Sequence, residues 1–498
     1  MGTKLDNALM ENTNPITKCI AVLCKMRLLS PALIGSGEKT NTDRDVYVDE
    51  NMSPIIPGTG ITGVLRSALD NRSAETLFGP LIDKPNDGSA TSPLWIMDSP
   101  ALTDYKNYMG KNEAIPAKII VIDNVALDEG KVAKPGGKFD FEAIECGSYF
   151  YLRMELVIRK DSPDNLETLL DKLLKKLNTL YIGGKTSRGF GKLKCERVGK
   201  LVFESNISGL QNRMDFSWKS WIDSFDKEHS PGKNDVLYKK GTLQNSAATH
   251  YFCEKCCNKL PNYDSEHISC ISATLKLNGS LLIRDDYSVI GDEDSAHITS
   301  AGIPVIYGTS WVGAIKNGLA RFITHNGFSG YLDEVFGHIK ETTPKEHYPS
   351  KVRVDASYFE KPSNKKSADN RFPVTRVKID RWTGGTVKGA LFTSRPQFNG
   401  NVTLTLYYPK NDAAILQLLS LALDAIDRGI ITIGGETAIG RGVFSVEKIS
   451  IDGVEEEFAD SADKKQFKLF TEQKSALVEA LKNNQPKSKH LVSESGGA

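Results

Sequence analysis

The 498-residue sequence has no apolar run approaching the roughly 20 residues needed to span a bilayer, which argues against a helical membrane anchor. Its opening stretch, Met1 to Pro15, is polar and lacks the apolar core of a secretory signal, so a cytoplasmic location is expected. Neither sign of charge is in excess: 63 Lys and Arg against 62 Asp and Glu leave a net charge of +1. A nucleic-acid site would therefore have to be a local groove, because the chain as a whole has no basic surplus. Cysteine is sparse, eight in all. Cys19, Cys24, Cys146 and Cys195 are scattered and read as buried thiols. The other four fall within 253–270, which suggests a metal rather than disulfides in a reducing compartment. Histidine is scarce too, and none occurs before His229.

What the sequence does contain is itself, twice. Ile56-Pro57-Gly58-Thr59-Gly60-Ile61-Thr62-Gly63 returns as Ile306-Tyr307-Gly308-Thr309-Ser310-Trp311-Val312-Gly313, at an offset of 250. The Gly-rich loop from Ile182 to Gly191 returns from Ile433 to Gly442, at an offset of 251. Between them, and in the same order, Leu77-Phe78-Gly79 pairs with Val335-Phe336-Gly337, Asp98 with Asp355, and Ile122-Asp123-Asn124 with Ile379-Asp380-Arg381. A period this long means two duplicated domains rather than a solenoid of short repeats.

Each copy reads as strand, loop, helix, strands, helix, strand, an α+β order that fits a ferredoxin-like βαββαβ unit with insertions. In the first copy the predicted strands are Lys18–Leu29, Leu94–Met97, Lys118–Asp123, Phe150–Ile158 and Lys192–Val198, with helices over Gly58–Leu69 and Ser162–Leu180. In the second they are strands Cys270–Ile283 and Val443–Ile449, with helices Trp311–Ile323 and Ala413–Ile430. The expected organisation is a first domain over 1–208, a linker with the cysteine cluster over 209–268, a second domain over 269–460 and a charged tail over 461–498. A short helix is expected over Met214–Lys227, a mobile insertion over 340–371, a docking helix over Gln466–Asn483 and disorder over Ser488–Ala498.

Three features could carry chemistry. The Gly-rich loops follow a helix and precede a strand, the wrong order for a dinucleotide fingerprint. They are either helix stops with a turn, or backbone nests that place Arg188 and Arg441 beside RNA phosphate. The Gly58 and Gly308 turns each open a helix, with Thr59, Thr309 and Ser310 just inside and Arg66 and Lys316 at matching places. Such an end suits a phosphate, or is a plain helix cap with a solvated cation. Finally, Cys253, Cys256, His267 and Cys270 have the paired spacing of a tetrahedral structural zinc site, with Cys257 spare. Should Cys270 point into the core instead, His250 or Cys257 could complete the site, or no metal binds.

With these motifs in place the chain resembles the RAMP superfamily of CRISPR proteins. The resemblance is clearest in Ile379-Asp380-Arg381-Trp382-Thr383-Gly384-Gly385 followed by Gly389-Ala390-Leu391-Phe392. Both halves are most similar to backbone subunits of type III effector complexes, and the tandem looks like the double backbone subunits of the type III-D branch. The resemblance implies an RNA-recognition-motif-like core, crRNA threaded along a palm, other effector subunits as partners, and a β-hairpin thumb that displaces bases at intervals. It also implies that an Asp in the loop after the first strand promotes target-RNA cleavage with magnesium or another divalent ion. Asp294, in Asp294-Ser295-Ala296-His297-Ile298, matches that run well, and Asp43, in Asp43-Arg44-Asp45-Val46-Tyr47, matches less closely; Asp45 and Asp292 are near alternates. Arg381 is an expected RNA contact, whereas Asp123 and Asp380 read as turn caps and His297 as a histidine without a catalytic role. A crRNA-processing ribonuclease of the same superfamily would use a histidine near the start of the chain, and its absence counts against that class.

Overall fold

A computed structural model describes residues 14–81, 91–103, 115–127, 132–225, 239–242, 248–252, 257–285, 293–323, 329–340, 346–360, 370–455, 458–461 and 464–467. They gather into two compact units. One is drawn from 1–122, 140–186 and 190–264, the other from 123–139, 187–189 and 265–498.

The first repeat runs β1 (Ile16–Leu28), α1 (Gly58–Ser67), α2 (Asn71–Phe78), β2 (Leu94–Ile96), β3 (Ile119–Leu127), β4 (Ala133–Ile144), β5 (Tyr149–Arg159), α3 (Leu166–Leu174), β6 (Leu193–Glu204), α4 (Ile207–Met214) and α5 (Trp218–Phe225). The sheet has the antiparallel order β6–β1–β5–β2. β1 is central and buried on both sides, which is why its sequence is apolar with only loose alternation. Ile20, Val22, Cys24, Met26 and Leu28 face a core completed by α1, α2 and α3, while Ala21 and Leu23 meet Trp221 and Phe225 of α5. α3 buries Leu166, Leu169, Leu170, Leu173 and Leu174, a stripe at helical spacing. Each such side chain contributes about 1.5–3 kcal/mol.

The helix predicted over 162–180 is shorter than its pattern. After Leu174 it tightens into a 3-10 turn, Leu177–Thr179, where buried Asn178 donates to Cys257 O (2.9 Å) and accepts from Cys195 N–H (2.7 Å). The short helix expected over 214–227 is α5, and a further helix, α4, ends just before it at Met214. Trp218 stacks on Trp221 and both lie against Phe216, so the break sits at an aromatic knot.

The second repeat runs β7 (Ile268–Asn278), β8 (Arg284–Asp285), β9 (Ser295–His297), α6 (Gly308–Ile323), α7 (Ser329–Phe336), β10 (Arg353–Val354), β11 (Val374–Ile379), β12 (Thr386–Arg395), β13 (Asn401–Pro409), α8 (Ala413–Asp427) and β14 (Val443–Ile451). Its sheet has the order β10–β13–β7–β14, the same strand roles as before. The predicted strand 270–283 stops at Asn278, because Gly279 takes a φ of 90°. A second sheet, β8–β9–β12–β11, carries a hairpin whose tip is Asp380 to Gly385. Gln466 and Phe467 lie in a strand, Lys464–Phe467; the rest of the helix expected over 466–483 and the tail 488–498 lie outside the described residues. Among the described residues no helix is long and apolar enough to cross a membrane.

Candidate nucleic-acid interface

The loop after each first strand delivers one exposed carboxylate to the root of a hairpin. In the first repeat Asp43 Oδ2 accepts the N–H of Asp140 on β4 (3.3 Å), and Asp43 N–H donates back to Asp140 Oδ1 (3.0 Å). In the second, Asp294 Oδ2 accepts the N–H of Thr393 on β12 (2.8 Å), and Asp294 N–H donates to Thr393 O (2.8 Å). The two acids therefore occupy equivalent places, each oriented by an amide of the hairpin's second strand. Asp140 and Thr393 are absent from any sequence motif, because what orients the two carboxylates is their main-chain N–H.

The near alternates separate from these. Asp45 is buried and accepts the amides of Thr40, Asn41 and Thr42 together with the Thr42 hydroxyl. Burial alone would raise its pKa, but the amides of Thr40, Thr42 and Asn41 outweigh it and hold the carboxyl well below the usual range. Asp45 thus stays ionised and closes the loop that presents Asp43. Asp292 lies outside the described residues. His297 is fully buried, its Nδ1 accepting Ile283 N–H (3.1 Å), so it is a core histidine.

At the hairpin tip Asp380 accepts the amides of Trp382 (3.0 Å) and Thr383 (2.8 Å), a side-chain-capped turn as the sequence led one to expect. The cap leaves Arg381 exposed and Trp382 96% exposed, and Phe392 and Leu391 on β12 are exposed as well. A hairpin of basic and aromatic side chains suits stacking on bases and contact with phosphate.

The repeated glycine motifs make close backbone joints. Gly58 N–H, which opens α1, donates to Asp98 Oδ1 (2.6 Å), so Asp98 caps that end. Thr59 is exposed; Thr309 and Ser310 are half-buried, with Ser310 N–H donating to Tyr307 O (2.9 Å). Arg66 Nη1 donates to Gly79 O (2.7 Å), and Lys316 Nζ reaches Gly337 O (3.2 Å) and Asp333 (2.7 Å). Both cations thus tie one helix to the end of the next. Arg66→Ala is expected to cost about 1–2 kcal/mol, which calorimetry would read as a melting point lower by roughly 2–8 °C. In the Gly-rich loops, Gly184 N–H donates to Leu33 O (2.8 Å) and Gly435 N–H to Leu282 O (2.7 Å). Gly183 and Gly434 both take a φ of 79°, and a Cβ at either would run into those same carbonyls. Arg188, grouped with the second unit, is half-buried and donates to Phe336 O (2.7 Å); desolvation pushes its pKa down. Arg441 is buried against Glu436 and Ser394.

Of the cysteine cluster, Cys253 and Cys256 lie outside the described residues, and only the backbone of His250, on a strand beside β6, is described. His267 is exposed. Cys270 is half-buried on β7, on the face opposite Ile271 and Ala273. Cys257 is fully buried in the first core, its Sγ 3.9 Å from that of Cys195.

The fold defines a tandem of two α+β repeats, each presenting an acid at a hairpin root. The chain matches the RAMP superfamily twice, over residues 25–194 and 274–445, and belongs to that superfamily. A chain of a type III-B Cmr-beta complex in the apo state is similar at 13% identity, covering 35% of this chain and 96% of that one with a TM-score of 0.28. A chain of the same kind of complex bound to cognate target RNA is similar at 17% identity, covering 36% and 60% with a TM-score of 0.27. A comparison with curated proteins found no match.

Proposed function

We propose that the chain is a crRNA-binding double backbone subunit of a type III CRISPR effector, working in the cytoplasm. In this reading it cuts guide-paired target RNA beside each repeat. The single observation that carries the catalytic part is the equivalence of Asp43 and Asp294, exposed carboxylates held at two matching hairpin roots. The strand orders β6–β1–β5–β2 and β14–β7–β13–β10 support a ferredoxin-like, RNA-recognition-motif-like core beneath them.

The chemistry needs little from the protein. The 2′-oxygen of a ribose forms a bond to its adjacent phosphorus while the bond to the 5′-oxygen breaks, leaving a cyclic phosphate and a 5′-oxygen that takes a proton from water to become a hydroxyl. Asp43 or Asp294 accepts the 2′-proton, and a hairpin that unstacks the neighbouring base turns the backbone toward in-line geometry. Magnesium or another divalent ion suits hard oxygen donors: Asp43 with Asp140 in one repeat, Asp294 with the hydroxyls of Thr393 and Thr375 in the other. When bound, it would offset charge on the reacting phosphate.

The test uses the assembled effector and end-labelled target RNA. The double variant Asp43→Ala, Asp294→Ala is expected to bind target normally and to cut it about 10²–10⁴-fold more slowly. Cleavage persisting at every position would leave the chain a guide-holding scaffold.

A structural zinc at Cys253, Cys256, His267 and Cys270 belongs to the same proposal, and buried Cys257 serves as a core thiol in it. Purified protein is expected to hold about one zinc, and His267→Ala to remove it by elemental analysis; metal-free wild-type protein would end this part.

A further inference from the structure

The two repeats are alike in backbone and opposite in charge around their acids. From Val374 to Arg395 the second hairpin holds five basic residues and one acid, whereas Ile119 to Ile144 in the first holds three basic residues and five acids. The contrast continues beneath the hairpins. Where the first repeat has Lys185 over the Phe141 ring (4.8 Å) and Phe141 edge-on to Phe190 (5.4 Å between centroids), the second has Glu436, Ser394 and Arg441. Where the first has Gly35, bridged to Val46, the second has Arg284, paired with His297.

These replacements build a charged cluster. Glu436 Oε1 accepts from Arg376 Nη2 (2.8 Å) and Arg284 Nη2 (3.1 Å), and Arg441 Nη1 lies 3.1 Å from Glu436 Oε2, off the hydrogen-bonding direction. Burial would raise the Glu436 pKa, but Arg376, Arg441 and Arg284 outweigh it and keep the group ionised. Three guanidinium groups against one carboxylate leave a surplus of positive charge. Arg441, at the bottom, is buried and also donates to Ser394 Oγ (3.3 Å). Arg284 is exposed and Arg376 half-buried, with Arg376 Nε buried and without a hydrogen-bond partner. Ser394 follows Thr393, whose amide holds Asp294, and it pairs with Ser295, the residue after Asp294. Arg376 pairs with exposed Phe392, one residue to the other side.

We infer that Arg284 and Arg376, braced by Glu436 over Arg441, form a phosphodiester-binding subsite beside Asp294 that the first repeat does not have. It takes a phosphate of the strand on which Asp294 acts, and Phe392 offers a ring for an adjacent base. Planar guanidinium groups suit the two oxygens of a phosphate, and a neighbouring carboxylate fixes their orientation in advance, lowering the cost of ordering them on binding. The inference rests on the catalytic reading of Asp294.

The experiment uses the complete effector with guide, in Arg284→Ala and Arg376→Ala forms and the charge-keeping Arg284→Lys. Both alanine variants are expected to raise the target KM for the cut beside the second repeat by roughly tenfold or more, to lower its salt dependence by about 0.7 in log–log slope per arginine, and to leave the cut beside the first repeat unchanged. Arg284→Lys is expected to recover part of the KM and the salt slope. Equal loss at both cuts, loss of copurified guide, or no change would each overturn the subsite. If Asp294→Ala erases its cut and the arginine variants do nothing, the subsite alone fails; if Asp294→Ala changes nothing, the catalytic reading fails first.

Discussion

Asp294→Ala alone is expected to erase one set of target-RNA cuts and Asp43→Ala the other, each by about 10²–10⁴-fold, so that each single variant yields a product ladder with alternate bands missing. Each acid stands on its own hairpin root and is held by its own strand amide, Asp140 N–H or Thr393 N–H, so neither can stand in for the other. Asp294→Asn sharpens the test. The amide side chain can still accept from Thr393 N–H, so the loop keeps its place, but it cannot take a proton from a ribose hydroxyl. Cleavage by the asparagine variant at the wild-type rate would show that the residue only shapes the loop. A third variant, Asp45→Ala, is expected to weaken the Asp43 cut alone, because Asp45 gathers the amides that fold the loop from Thr40 onward. A denaturing gel of end-labelled target resolves all of these.

The duplication was legible because it is written in residue identity: five landmarks recur in order, and the structure gives both halves the same strand order. What most landmarks do was less legible. Glycine beside a cation looks like a phosphate site in one dimension. Here Arg66 and Lys316 reach the carbonyls of Gly79 and Gly337, and the Gly-rich loops place their amides on Leu33 and Leu282. A repeated motif can thus be a repeated joint, since a fold built twice needs its close backbone approaches twice. The acids Asp43 and Asp294 were found by resemblance, but the amides that orient them carry no sequence signature. Arg284, Arg376 and Glu436 were missed for another reason: they come from a short strand, a hairpin and a loop up to 152 positions apart, and only the fold brings them together. Their one visible trace was the basic surplus of the second hairpin, hidden in a chain whose net charge is +1.

Trp311→Ala is expected to unfold the second repeat selectively. Trp311 sits in the first turn of α6, fully buried, with its indole N–H donating to Ser357 Oγ (3.0 Å) and its ring 5.6 Å from that of Phe444 on β14. It therefore joins the helix to strands at two places in the core. Truncation removes the largest buried side chain there and opens a cavity that Val354 and Phe444, themselves fully buried, have no room to fill by rotating. Losses of this kind cost about 3–5 kcal/mol, a large part of a domain's stability. In calorimetry the transition of the second unit should fall by roughly 6–20 °C while that of the first holds. The first repeat has the smaller Ile61 at this place, so no matching variant there can open as large a void. Trp311→Phe keeps most of the ring volume but loses the bond to Ser357, and should cost much less. In the effector, Trp311→Ala should remove the Asp294 cut and spare the Asp43 cut. A melting profile unchanged by the alanine variant would mean that the ring is not part of a packed core.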